Sequence, residues 1–145
     1  MQEVGKVLSL FISSEESSNH IEKEEIIVDT KGIVEDKHYN ADIQKSVLIT
    51  STESYELLQR NHIDIAYGSL GENLLIDYNP YTLPIGSRLQ IANVILEISQ
   101  NCTLCNHLSR INKQVPKLLK NDRGIFAKVI QSGSIKVDDS IYLLS

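Results

Sequence analysis

Both cysteines of this 145-residue chain, Cys102 and Cys105, fall in one nine-residue stretch that also holds His107. The stretch follows the apolar run Val94-Ile95-Leu96-Glu97-Ile98, whose branched side chains predict a strand. A strand end holds its side chains rigidly and can aim them into a cleft. A thiolate placed there is a nucleophile and a soft metal ligand, provided its pKa is lowered. A helix starting just past Cys105 would bring backbone amides and a positive dipole end to that sulfur, and Arg110 follows close behind. On spacing alone four readings stand open. The two thiols fill core space, form a Cys-x-x-Cys redox pair, supply one sulfur carrier or metal ligand, or join His107 in a zinc site. The redox pair lacks a surrounding βαβ pattern. Zinc lacks a fourth ligand, which His38 would have to supply from far away in the sequence.

Three further clusters carry polar groups. Gly32-Ile33-Val34-Glu35-Asp36-Lys37-His38 crowds Asp36, Lys37 and His38 behind a glycine, as a site or as a loop with a local salt link. Gly68-Ser69-Leu70-Gly71-Glu72-Asn73-Leu74 brackets a tight turn with two glycines and offers Glu72 and Asn73 side by side. An acceptor next to an amide matches the edge of a flat heterocycle, although a plain turn has the same spelling. Arg123 stands just before an apolar run and can grip a phosphate through two parallel hydrogen bonds.

Most of the apolar pattern that must position these residues has period two. Strands are predicted for the N-terminal run through Leu8, Leu10 and Ile12, for Ile26 to Val28, and for Ser46 to Thr50. Others are Arg88 to Ile91 and Val94 to Ile98 as a hairpin about Ala92-Asn93, then Ile125 to Ile130, Ile135 to Val137 and Ile141 to Leu144. So many short strands predict a barrel or sandwich with its edges covered. Helices are few. Thr50 and Glu53 read as a capping box opening a helix with Tyr55, Leu57 and Leu58. A second helix is expected through Leu108 and Ile111, and a third from Pro116. Residues 13–25 and 77–84 are polar or proline-broken and read as loops.

The length suits one domain over residues 1–145, and 41% hydrophobic residues suffice for a core. The N-terminal residues lack a basic-plus-apolar leader pattern, and two cysteines three apart cannot staple a fold, so a reduced, cytoplasmic protein is expected. Net charge is -5, yet residues 110–128 carry +5 and the remainder -10. Such a split suits a small anion or a solvated helix face, and an acidic chain without a basic aromatic stripe is a poor nucleic-acid binder.

The succession GIVEDKH at 32–38, GSLGENL at 68–74, IGSRLQI at 85–91, LEISQNCTLC at 96–105, RGIFAKV at 123–129 and GSIKVDDSIYL at 133–143 resembles the MOSC family, named for the C-terminal domain of molybdenum cofactor sulfurase. It is similar to the small stand-alone bacterial members over nearly the whole chain. The resemblance implies a mainly β, MOSC-type β-barrel with a few short helices. It implies a pocket for the molybdenum cofactor (molybdopterin) or for sulfur bound for it. Ser99-Gln100 leads to Cys105 at the family's spacing, which implies Cys105 as persulfide carrier, catalytic residue or metal ligand. Glu72 and Asn73 would hold the pterin edge, Arg123 with His38 or Lys37 would meet the phosphate, and Asp36 of the same motif counts among the cofactor-binding residues. Cys102 stands where many members have a basic residue. Glu35 and Asp138 stand where the family has glycine. A pyridoxal-phosphate cysteine desulfurase is the expected sulfur donor, as a partner, since this chain shows no lysine in a Schiff-base setting of its own. Two alternatives stay open: a molybdenum-dependent oxidoreductase reducing N-hydroxylated compounds with an electron-transfer partner, and a non-catalytic binding module for a pterin biosynthesis protein.

Overall fold

The computed structural model describes residues 2–14, 20–102 and 112–144. The long first strand, β1 (Gln2–Ser13), organises the molecule. Then come β2 (His20–Lys23), β3 (Glu25–Asp29), β4 (Gly32–Ile33) and β5 (Val47–Ser51). Helix α1 (Thr52–Arg60) precedes β6 (Leu74–Ile76), β7 (Arg88–Ile91) and β8 (Val94–Asn101). Helix α2 (Val115–Leu118) leads into β9 (Ile125–Gln131), β10 (Gly133–Lys136) and β11 (Ser140–Leu143).

Seven strands run in the order β11-β7-β8-β9-β5-β6-β1, and β11 pairs back onto β1, so the sheet closes into a barrel. Closure removes the free edges that would otherwise recruit other chains. All pairings are antiparallel except β5 with β6. That parallel pair needs a crossover, which α1 provides. The strand alternation expected from the sequence is seen directly. In β8 Val94, Leu96 and Ile98 point inward between half-exposed neighbours, and β9 does the same with Ile125, Ala127 and Val129. A three-stranded sheet, β10-β3-β4, covers one side and adds Ile26, Val28, Ile33 and Ile135 to the same core. Each such fully buried aliphatic contributes roughly 1.5–3 kcal/mol. A second, smaller cluster packs Tyr55 and Leu58 of α1 on Leu70, Leu75 and α2 outside the barrel.

Three sequence expectations are corrected. Residues 13–25 are not all loop, because β2 pairs with β1 from Leu10 to Ser13. Its one branched aliphatic, Ile21, faces outward at the barrel margin, so no inward apolar rhythm marks it. Leu74 to Ile76, hidden inside a glycine-turn motif, form β6, a buried strand too short to show a period. The cap of α1 is Ser51, whose side chain accepts from the Glu53 amide at 3.1 Å, while Thr50 belongs to β5 opposite Leu75. The helix expected through Leu108 and Ile111 lies outside the described residues.

Glu35 (φ +76) and Asp138 (φ +77) hold the left-handed backbone at the two turns where the family resemblance places glycine. An L side chain there crowds its own carbonyl, by roughly 1–2 kcal/mol for most residues and less for Asp. Glu35 is exposed and its ion pair with Lys23 spans 3.8 Å in the open, so little is lost with it. Glu35→Gly is expected to raise the unfolding free energy by about 0.5–1 kcal/mol, after the extra unfolded-chain entropy of glycine, and Asp138→Gly by less. Urea unfolding of the two variants measures this.

Candidate functional site: a buried arginine beside a glycine cradle

The turn from Gly68 to Asn73 positions two of the expected residues, Glu72 and Asn73. Gly68 (φ +92) and Gly71 (φ +86) take backbone shapes that suit glycine, and the Gly71 amide closes the turn on the Gly68 carbonyl. Successive residues then face opposite ways. Glu72 turns toward α1. It is 0% exposed, and its Oε2 accepts from Tyr55 Oη at 2.6 Å and from the Gly68 amide at 3.1 Å. Its Oε1 has no hydrogen-bond partner. Burial pushes the Glu72 carboxyl up from the ordinary range, against hydrogen bonds from Tyr55 and Gly68 and the charge of Arg123. Burial and the Glu72 charge also push the Tyr55 phenol far up, so it stays a donor.

Arg123 arrives from the segment before β9 and is 3% exposed. Its Nε and Nη1 lack partners, as does the buried Thr50 Oγ1 on the adjacent strand β5. A side chain on Gly124 would meet that same Thr50 oxygen at 3.5 Å. A Cβ on Gly71 would lie 3.9 Å from Arg123 Nη2 and 3.9 Å from His20 Cε1. Buried polar atoms are nearly always satisfied. Here Glu72 Oε1, two nitrogens of Arg123 and Thr50 Oγ1 are buried without a partner, with the Arg123 charge acting on Glu72. The set can take a ligand that presents acceptors to Arg123.

Asn73 turns the other way. Its Oδ1 accepts from the Leu48 amide at 2.9 Å, and its Nδ2 donates to the Phe11 carbonyl at 3.2 Å and to Asp36 Oδ1 at 3.5 Å. Its amide thereby clips β1 to β5. Asp36 is likewise engaged, accepting from the Ser13 amide at 2.7 Å and from the amide and ring of His38 at 3.0 and 3.2 Å. Burial raises its carboxyl, but these hydrogen bonds outweigh it and hold Asp36 below its ordinary value. Lys37 and His38 are exposed on the loop that Asp36 anchors.

His20 and Ser13 carried no signal in the sequence. Their pairing, Ser13 Oγ to His20 Nε2 at 3.0 Å, depends on β2 docking along β1. Tyr81 was also missed. Its hydroxyl accepts from the Ser51 amide and meets Ser54 Oγ, both at 2.7 Å, and burial pushes its pKa up to about 12. Cys102 is buried, and its amide donates to the Gly124 carbonyl at 3.0 Å, which sets Cys102 beside the Arg123-Gly124 step. Cys105 itself, with His107 and Arg110, lies outside the described residues. Among the described residues no group of three His, Cys, Asp or Glu side chains could hold a metal ion, and no helix is long and apolar enough to cross a membrane.

A family model of the MOSC domain matches residues 34–142. No curated protein matches the chain. Among solved structures, the YuaD protein from Bacillus subtilis superposes with a TM-score of 0.83 at 17% identity, covering 95% of this chain and 94% of that one. YiiM from Geobacillus stearothermophilus gives 0.72 at 15% identity over 99% and 75% of the two chains. YiiM from Escherichia coli gives 0.73 at 17% over 97% and 70%. At these identities the likeness is one of fold.

Proposed function

This chain belongs to the MOSC domain family, and from that premise we propose that it binds the molybdenum cofactor at the Arg123 end of the barrel, with Cys105 as persulfide carrier or metal ligand. The family is associated with that cofactor. The observation that carries the reading is Arg123, 3% exposed with two donor nitrogens unpartnered, beside Gly71, where a side chain would lie 3.9 Å from Nη2. A fork of N–H donors matches a phosphate, so the residues fit the anionic end of the cofactor. Thr50, beside Gly124, adds an unpartnered hydroxyl, and the unpartnered Glu72 Oε1 is an acceptor for the pterin edge. Asp36 and Asn73 contribute by fixing the first motif and the turn at 71–73 against β1 and β5. Lys37 and His38, exposed on that loop, are available to the ligand's outer charges.

The cofactor, when bound, supplies a metal that accepts soft sulfur ligands. The chain supplies the Cys105 thiol, three residues past Cys102, whose own amide donates to the Gly124 carbonyl beside Arg123. In the carrier role the Cys105 thiolate attacks the outer sulfur of a cysteine persulfide on a partner desulfurase, forming the Cys105 persulfide as the donor S–S bond breaks and the donor thiolate leaves; pyridoxal phosphate acts in the partner's own chemistry. Protein expressed with molybdate is expected to retain molybdenum and pterin in the wild type. Intact mass under non-reducing conditions is expected to show one added sulfur atom that Cys105→Ala lacks. Equal metal content and equal sulfur loading in Cys105→Ala would remove the thiol from the mechanism.

A further inference from the structure

We propose that His20 is a proton-coupled arm of this pocket: an oxyanion lodged in the Gly71 cradle against Arg123 draws one proton onto the His20 ring. The inference rests on the reading above for the anion at Arg123 and extends it to residues outside every motif that carries the family resemblance.

The space itself is the starting point. The guanidinium and the imidazole flank the position a Gly71 side chain would occupy, each 3.9 Å from it. Gly71 itself is partly exposed, so this position lies at the protein surface. The unpartnered Nε and Nη1 of buried Arg123 independently mark an anion as the missing partner.

His20 is placed to accept a charge without losing a contact. Its Nε2 faces Ser13 Oγ at 3.0 Å. The Gly71 backbone lies near the ring and favours its charged form, as a nearby carbonyl does. On protonation the Ser13 hydroxyl changes from donor to acceptor, which a serine can do by rotating its hydrogen. Burial opposes the charge and holds the ring below its ordinary pKa, with Lys37 and His38 of the first-motif loop adding to that and Asp36 pulling the other way. Arg123 across Gly71 adds further repulsion, while Glu22 and Lys23, next along β2, carry opposite signs. A dianion in the cradle offsets Arg123 and places negative charge near the ring. An opposite charge at such range raises a pKa by about 1–3 units. The ring is then neutral without the anion and charged with it, and binding takes up a proton.

Sulfate is the probe, because it is a tetrahedral dianion that does not titrate near neutrality. The full-length chain is titrated with it at constant ionic strength, with chloride as balance. The His20 ring resonance, assigned with His20→Gln, is followed by NMR, and affinity is measured by calorimetry at stepped pH. Saturating sulfate is expected to raise the His20 midpoint by about one pH unit or more. Affinity is expected to fall about tenfold per pH unit between the midpoints of the ligand-free and sulfate-bound forms. In His20→Gln sulfate still binds and that pH dependence is flat. Should His20→Gln fail to fold, the wild-type midpoint carries the test. Sulfate binding with an unmoved His20 midpoint and a flat pH profile overturns the inference and leaves the anion reading of Arg123 standing. Absence of sulfate binding overturns both.

Discussion

Asn73→Ala is expected to lower the unfolding free energy by about 3–5 kcal/mol, the largest loss of any single polar truncation in this barrel. The side chain stands in for a strand. Just before β6 begins at Leu74, Asn73 bridges β1 and β5 with both its backbone and its amide. Its backbone N–H donates to the Leu48 carbonyl and its carbonyl accepts from the Phe11 amide, both at 2.8 Å. Its Oδ1 takes the Leu48 amide, and its Nδ2 reaches the Phe11 carbonyl and Asp36. Alanine keeps the backbone bonds and strands the other groups in a region where Asn73 is 7% exposed. An unsatisfied buried donor or acceptor costs about 1–3 kcal/mol. Urea unfolding by circular dichroism reads the loss. Asn73→Asp separates this account from simple cavity formation. A carboxylate would face the Phe11 carbonyl and the Asp36 carboxylate, so this variant is expected to be weaker than Asn73→Ala at neutral pH and to recover part of the difference in acid. Equal stability of Asn73→Ala and the wild type would show the clip to be dispensable.

The role of Asn73 shows where the sequence is legible and where it stops. The barrel was readable because β8 and β9 alternate strictly and their turns carry Gly, Asn and Asp. Glu72-Asn73 was readable as an acceptor beside an amide in a glycine turn. Its division of labour was not, because adjacent residues in extended backbone face opposite sides. Glu72 therefore meets Tyr55 on α1 while Asn73 meets β1 and β5. His20 was illegible for a different reason. It sits in a polar edge strand without apolar rhythm, and its partners, Ser13 and Gly71, are set by the docking of β2 and by a turn fifty residues away. Thr50 was misread as a cap because Ser51 beside it offers the same hydroxyl, and only strand register decides which of the two starts the helix. Glu35 and Asp138 show the converse case. The backbone keeps the shape expected of glycine although the residue has changed.

Arg123→Met is expected to leave the protein as stable as the wild type or up to about 1–2 kcal/mol more stable, while molybdenum and pterin retention and sulfate affinity fall about 100-fold. The two readouts move in different directions because the guanidinium serves a ligand and not the fold. Removing it from water is costly, and the cost is recovered only through good hydrogen bonds. Arg123 has two nitrogens without any, and among the described residues no hydrogen bond or ion pair joins it to Glu72. Methionine fills a similar length of apolar space and adapts its rotamer. Glu72 loses a favourable charge nearby, but burial already pushes its carboxyl up, and Tyr55 and the Gly68 amide remain on Oε2. It meets the change by holding a proton. A raised folded-state carboxyl pKa favours the fold at low pH, and the benefit is lost as pH rises through that pKa. The gain in Arg123→Met should accordingly be largest in mild acid and shrink as pH rises. Were Arg123 instead one half of a structural ion pair, its removal would leave a buried carboxylate and cost about 3–5 kcal/mol. Urea midpoints across pH, set beside metal content and sulfate calorimetry on the same preparations, decide between a buried arginine kept for its ligand and one kept for the barrel.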